Sequence, residues 1–205
     1  MIGVLSVGAG NIKSVTNAID YLGYEVGIIS APIEIANCSH VILPGVGSYN
    51  IVSKLLAEYG WVSAINEFHH AKKPILGICL GMQLLSTSGF EHGKSKGLDL
   101  IPGNVKEMNC PTQFKLPHLG WNEVQWKRDH PICAGIKKHM DFYFVHRFAF
   151  DCELNEHVLG TTDYGITFHS VVAKDNVVGV QFHPEKSQDV GLALLENFCE
   201  WDGQC

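Results

Sequence analysis

Residues 73–85 read Lys73-Pro74-Ile75-Leu76-Gly77-Ile78-Cys79-Leu80-Gly81-Met82-Gln83-Leu84-Leu85. The apolar run Ile75–Ile78 after a proline predicts a short buried strand, and the residues after Cys79 predict an apolar helix. Between them, Gly77-x-Cys79-x-Gly81 has the spacing of a nucleophile elbow with cysteine as the reactive side chain. A strand that turns sharply into a helix strains its pivot residue, and a side chain two positions to either side would crowd the turn. The helix that follows aims free N–H groups at the sulfur, which favours thiolate and can stabilise an oxyanion. Taken alone, the pentapeptide fits equally well a buried apolar cysteine at a strand end. The rest of the chain decides between the two.

With 205 residues, the chain is long enough for a substantial core and reads as one domain over 1–205. An apolar content of 46% and a charged content of 18% describe a soluble globular protein. No run approaches the eighteen or so apolar residues of a membrane helix. Met1-Ile2-Gly3-Val4-Leu5-Ser6-Val7 has no basic leader and reads as a first core strand, so a cytoplasmic location is expected. Seven cysteines without a C-x-x-C pair suit a reducing compartment and argue against a disulfide framework or a zinc site. A formal charge of −6 without a basic run makes nucleic acid an improbable partner. No metal or cofactor is expected.

Working outward from the elbow, strands alternate with helical tracts. A helix from Ile12 to Leu22 places Val15, Ala18, Ile19 and Leu22 on one face, and Gly23 is set to end it. Strands over Glu25–Ser30 and Val41–Leu43 follow, then helical tracts over Ser48–Tyr59 and Trp61–Ala71. This alternation predicts an α/β fold with a doubly wound, mostly parallel sheet. After Gly97 the pattern changes to strand-like runs: Val105–Met108, Asn122–Trp126, Phe142–Val145, Val158–Thr162, Thr167–Ala173 and Val177–Gln181. These predict an antiparallel extension of the sheet, closed by a helix over Val190–Glu200. His92, His130, His139 and His157 lie in polar surroundings and read as surface residues. The adjacent pair His69-His70 cannot face one metal from a helix.

In a doubly wound sheet reactive groups gather at strand C-termini. Two such ends supply partners for Cys79. One is Val178-Gly179-Val180-Gln181-Phe182-His183-Pro184-Glu185, where proline fixes the backbone between an imidazole and a carboxylate. A base oriented by a carboxylate is what an activated cysteine needs. The other is Pro44-Gly45-Val46-Gly47, whose glycines let backbone N–H groups approach a ligand.

Together, the Gly-Ile-Cys-Leu-Gly-Met-Gln elbow, the Pro-Gly-Val-Gly loop and the Gln-Phe-His-Pro-Glu stretch resemble the class I glutamine amidotransferases, a flavodoxin-like family with a Cys, His, Glu triad. The resemblance covers essentially the whole chain. It extends to Gly97–Gly103, Pro117–Asn122, Tyr143–His146, Thr161–Gly165 and His183–Ser187, which mark a branch serving histidine biosynthesis. It implies that Cys79 attacks the side-chain amide of L-glutamine, that His183 shuttles the proton and that Glu185 orients His183. It further implies an oxyanion site at Leu80 and Gly45, Val46 and Gly47. Gln83 and the backbone at His146, Arg147 and Phe148 would hold the substrate. The implied partner is a (β/α)₈-barrel cyclase subunit that receives the ammonia in a heterodimer. Asn11, Pro117, Trp121, Asn122 and Lys186 would lie at that interface.

Two positions depart from the family pattern. Ser6-Val7 replaces the usual Asp-Tyr, and Arg147-Phe148 replaces the usual Ser-Tyr. Both departures also fit a paralogous subunit that supplies ammonia for surface-polysaccharide sugar amidation. A free-standing cysteine hydrolase of the same fold is the further alternative.

Overall fold

The computed structural model describes residues 1–7 and 11–204; Gly8, Ala9 and Gly10, which with Asn11 read in the sequence as the turn after the first strand, lie outside them, as does Cys205. The apolar runs become β1 (Ile2–Leu5), β2 (Val26–Ile29), β3 (His40–Leu43) and β4 (Ile75–Ile78). The tracts between them become α1 (Ile12–Tyr21), α2 (Tyr49–Glu58) and α3 (Trp61–His70), with α4 (Leu80–Leu84) directly after Cys79. Helix α1 ends as its sequence predicts. Gly23 takes φ +85°, its N–H donates to Asp20 O and that of Tyr24 to Ile19 O, the paired bonds of a Schellman cap.

The second half contributes short strands β5 (Ser88–Gly89) and β6 (Ser95–Lys96), then β7 (Gly103–Glu107), β8 (His118–Trp126) and β9 (His139–His146). They are followed by β10 (Phe148–Cys152), β11 (Val158–Asp163), β12 (Thr167–Lys174), β13 (Val177–Val180) and α5 (Gln188–Glu200). The thirteen strands among the described residues belong to one sheet whose main path runs β2-β1-β3-β4-β13-β12-β10-β7-β5-β6, with β11, β8 and β9 branching from β12. Strands β2, β1, β3, β4 and β13 pair in parallel, whereas β12, β10, β7 and the branch pair antiparallel, apart from a short parallel pairing of β7 with β5. The parallel core with an antiparallel extension is therefore as expected.

Alternation along each strand divides the core between the two faces of the sheet. Leu76, Ile78, Val178 and Val180 pack with α1 and α5 through Val15, Ile19, Leu194 and Phe198. Val41, Leu43 and Ile75 pack with α2 and α3 through Val52, Leu56, Ile65 and Phe68. Each such buried side chain stabilises the fold by roughly 1.5–3 kcal/mol of transfer free energy.

Three expectations need correction. Strand β10 was not foreseen, because the chain changes partners at Arg147: β9 pairs with β8, but β10 pairs with β7 and β12. Local composition carries no sign of that switch. His130 and His157 are buried, not on the surface. His130 caps a 3-10 turn, its Nδ1 accepting from Ile132 N–H at 3.1 Å, and its ring meets Trp201 edge-on at 5.1 Å. Helix α4, finally, is only five residues long, so what it offers the sulfur is local N–H groups and not a long helix dipole.

Candidate active site

The last strand of the sheet returns beside the elbow. Strand β13 pairs in parallel with β4, matching Gly179 to Gly77 and Val180 to Ile78, and Cys79 N–H donates to Val180 O at 2.8 Å. Residues just past Val180 therefore emerge next to residues just past Ile78. This register brings His183 to Cys79 across more than a hundred residues of chain.

Cys79 has φ +53° and ψ −108°, a conformation that costs a non-glycine residue on the order of 1–3 kcal/mol. The flanking glycines are required by contact as well as by strain. A Cβ on Gly81 would stand 1.7 Å from Leu43 O, and one on Gly77 would stand 2.7 Å from the Gly81 carbonyl group and Met82 N. The elbow thus presses its backbone into the end of β3. The same closeness brings in the 44–47 loop: a Cβ on Gly45 would meet Leu80 Cβ at 2.8 Å and Gly81 N at 3.0 Å. Gly47 has φ +117°, and Val46 is 37% exposed. Gly45 therefore lies against Leu80 and Gly81 N, the closeness an oxyanion site between the two segments would need.

His183 is 1% exposed and Cys79 8%. The imidazole Nδ1 bonds Glu185 Oε1 at 2.8 Å, so the other ring nitrogen, Nε2, is the one left for the thiol. Nε2 is buried without a well-aligned hydrogen bond, a looseness common in unliganded catalytic sites. Burial pushes the His183 pKa down, but the bond to Glu185 and the nearness of Cys79 and Glu185 outweigh it and raise the value to about 9. Burial likewise pushes the Glu185 carboxyl up, and the opposing bonds from His183 and Asn11 hold it below its ordinary value. Asn11 Nδ2 donates to the same Oε1 at 2.7 Å. The backbone of His183 is also held: its N–H donates to Tyr143 O at 2.9 Å and its carbonyl accepts from Ser187 Oγ at 2.7 Å.

The sulfur has two further neighbours. Its S–H points to Val145 O at 3.8 Å, and Gln181 Nε2 donates to it at 3.6 Å. Gln181 was not singled out from the sequence. Its signal was its place two residues before His183, just past the end of β13. Gln83, a candidate substrate contact, uses its amide N–H groups on Phe148 O and Gln181 Oε1, both at 3.0 Å. Arg147 turns its side chain outward onto Glu107, Nε to Oε1 at 2.7 Å, so only its backbone stays near the site. His146 is buried and donates from Nδ1 to Phe148 O at 2.9 Å.

Of the candidate interface residues, Pro117, Trp121 and Lys186 are exposed, whereas Asn11 is drawn into the triad by its bond to Glu185. Trp121 is 48% exposed beside Leu119 at 62%, and Trp121 meets the Tyr143 ring edge-on at 6.0 Å. Lys186 Nζ lies over the other part of that cluster, 5.9 Å from the Tyr143 centroid. Pro117 is exposed at the start of the same strand, whereas Asn122 faces inward and donates to Asp163 O at 2.8 Å. Among the described residues, no three His, Cys, Asp or Glu side chains converge as a metal set would, and no helix is long and apolar enough to cross a membrane.

The arrangement can perform acyl transfer at an amide: a cysteine nucleophile, an imidazole oriented by a carboxylate, and backbone N–H groups for an oxyanion. Comparison with known proteins agrees. A family model described as glutamine amidotransferase class-I matches residues 4–201. Imidazole glycerol phosphate synthase subunit HisH of Desulfitobacterium hafniense (strain DSM 10664 / DCB-2) is 44% identical, covering 98% of this chain and 94% of its own. The protein of the same name from Moorella thermoacetica is 45% identical, covering 97% and 94%. Among solved structures, PurLQS from Thermotoga maritima superposes with a TM-score of 0.78 at 16% identity, covering 97% of this chain and 96% of that one. A crystal structure described as a glutamine amidotransferase gives 0.75 at 20%, covering 97% and 98%. At those identities the two structures speak for the fold alone.

Proposed function

This chain belongs to the class-I glutamine amidotransferase family, and on that premise we propose that it is the glutaminase subunit of an imidazole glycerol phosphate synthase. The reading rests on one observation above the rest: the β13–β4 register that sets the His183–Glu185 pair beside Cys79.

In the first half-reaction, Cys79 thiolate attacks the side-chain amide carbon of L-glutamine. The carbonyl electrons move onto oxygen, which the amides of Leu80 and the 45–47 loop receive. Each such donor is typically worth roughly 3–4 kcal/mol in the transition state. His183, charged by the proton from the thiol, gives it to the leaving nitrogen, and ammonia departs as the carbonyl re-forms in a γ-glutamyl thioester. Water then attacks that thioester, losing its proton to His183. Collapse releases glutamate, and the thiolate returns. Glu185 holds the imidazole in the tautomer that presents Nε2, and Asn11 holds Glu185.

The ammonia is meant for a partner. A (β/α)₈-barrel cyclase subunit docked against Leu119, Trp121, Tyr143 and Lys186 would receive it and turn the phosphoribulosyl-formimino-carboxamide ribotide into imidazole glycerol phosphate and the aminoimidazole carboxamide ribotide. A cytoplasmic heterodimer serving histidine biosynthesis follows from this reading. The test is glutamate release from L-glutamine with and without the barrel subunit and its ligand. Release should be slow for the chain alone, strongly raised in the complex and absent in Cys79→Ala. Substantial release by that variant would overturn the nucleophile assignment. Failure of a well-expressed chain to complement a histidine auxotroph lacking its glutaminase would overturn the pathway.

A further inference from the structure

Beyond the triad, a buried polar cluster joins β8 and β9 to the floor of the site. His118 is 2% exposed and His146 5%, and the two stand directly opposite each other in the hairpin. His118 Nδ1 and His146 Nε2 are 3.0 Å apart. Because the Phe148 carbonyl 2.9 Å away can only accept, His146 Nδ1 carries the hydrogen. His146 Nε2 is then the acceptor, and His118 Nδ1 must be the donor. His118 Nε2 in turn accepts from Asn122 Nδ2 at 3.2 Å. One protonation pattern alone satisfies the whole series, with both rings neutral and hydrogen on Nδ1.

The series continues past Phe148. The same carbonyl accepts from Gln83 Nε2, which also donates to Gln181 Oε1, and Gln181 Nε2 donates to Cys79 Sγ. Packing keeps the first limb in place. The His118 ring is stacked between Tyr164 at 4.1 Å and Phe144 at 4.8 Å, and His146 leans on Phe168 at 4.9 Å. Both limbs donate into the Phe148 oxygen, so no proton can run from one end to the other. What the series can transmit is position.

We propose that His118 and His146 are positioning residues: the Asn122–His118–His146 relay fixes the Phe148 carbonyl, and through it the Gln83–Gln181 amide pair holds the Cys79 sulfur in register for attack. The inference rests on Cys79 being the glutaminase nucleophile. It also ties the nucleophile to β8, the strand whose opposite face carries the exposed Leu119 and Trp121. Burial favours the neutral form of both rings, lowering His118 to about 4 and His146 to about 3, in accord with the pattern the hydrogen bonds demand.

The test uses the full chain and two cysteine reagents: an electrophilic glutamine analogue, which must bind in register, and iodoacetamide, which need not. His118→Phe keeps the aromatic stack and removes both nitrogens. It should slow labelling of Cys79 by saturating analogue about tenfold, the scale of a sub-ångström misplacement, while iodoacetamide labelling changes less than about twofold. His118→Asn, whose amide can replace the Nδ1 donor, should recover most of the analogue rate. Equal losses for both reagents, or a wild-type analogue rate in folded His118→Phe, would overturn the proposal. Should His118→Phe not fold, Asn122→Leu cuts the relay at its outer end, with the same pattern expected and the same results overturning it. Long-range ¹H–¹⁵N spectra of the histidine rings at neutral pH should show both as Nδ1–H, and hydrogen on Nε2 of either would also overturn it. If instead wild-type protein is not labelled at Cys79 by the analogue, the nucleophile reading has failed and not the relay.

Discussion

The elbow and the β8–β9 hairpin meet at the same site but are built differently. Around Cys79 the backbone itself is packed to contact, with Gly81 against Leu43 O and Gly45 against Leu80, so that no Cβ fits at either glycine. The hairpin is packed on one face only. Its inner face carries His118, His146, Phe142 and Phe144, all buried, while Leu119 and Trp121 stand outside. At Gly120, φ +131°, an added Cβ would meet nothing within 4 Å. A rigid, overdetermined element therefore holds the nucleophile, and a one-sided ribbon supplies the wall opposite it. Substitutions in the first should be read in folding, and substitutions in the second in positioning and association.

The sharpest way to break this contrast is Gly81→Ala. With its Cβ driven onto a backbone carbonyl, the variant should lose at least ~4 kcal/mol of stability or fail to fold, as measured by urea denaturation. A loss below about 1 kcal/mol would show that the elbow is less tightly built than the contacts indicate.

Acid should act on the hairpin next. The His118 and His146 pKa values lie below the ordinary 6.5, at about 4 and about 3. An unfolded chain would take up protons below pH 6.5 that the folded one refuses. Stability is thus intact above that value and falls as the pH drops toward 4 and 3, by up to ~1.4 kcal/mol per pH unit for each ring. Denaturation curves of wild type and His118→Phe should differ in slope across this window. His183 has the opposite sign: raised to about 9, its contribution is complete below pH 6.5 and is lost as the pH rises through 9.

Glu185→Gln sharpens the comparison inside the triad. Removing the charge beside Nδ1 should lower the His183 titration midpoint by about one unit or more, as followed by NMR of the ring carbons. An unmoved midpoint would mean that the carboxylate does not support the imidazolium. The smallest effect on folding is expected at the outer face of the hairpin. Trp121→Ala should change stability by less than about 0.5 kcal/mol while weakening binding of the barrel subunit by about 1–2 kcal/mol, measured by calorimetric titration. Loss of stability without loss of binding would place Trp121 in the fold and not at an interface.

Much of the molecule was legible because its signals are local. The alternation of strands and helices, the Gly23 cap, the Gly-x-Cys-x-Gly elbow and the His-Pro-Glu stretch each lie within a dozen residues. Each follows from periodicity, or from the backbone freedom of glycine and proline. The break between β9 and β10 at Arg147 was not legible, and neither was the burial of His130 and His157, because each depends on which distant segment packs alongside.

By itself the sequence determined which chemistries were present: a thiol at a strained turn, an imidazole and carboxylate fixed by proline, and glycines where N–H groups could approach a ligand. Only the tertiary structure decided that these meet, through the β13–β4 register. It also decided that Asn11 and Gln181 complete them and that His118 and His146 meet, buried, behind the site. The reason is physical. Local patterning selects the elements, but a parallel sheet is closed by hydrogen bonds between residues far apart in the chain. A shift of one position there would turn Gln181 and His183 to the opposite face.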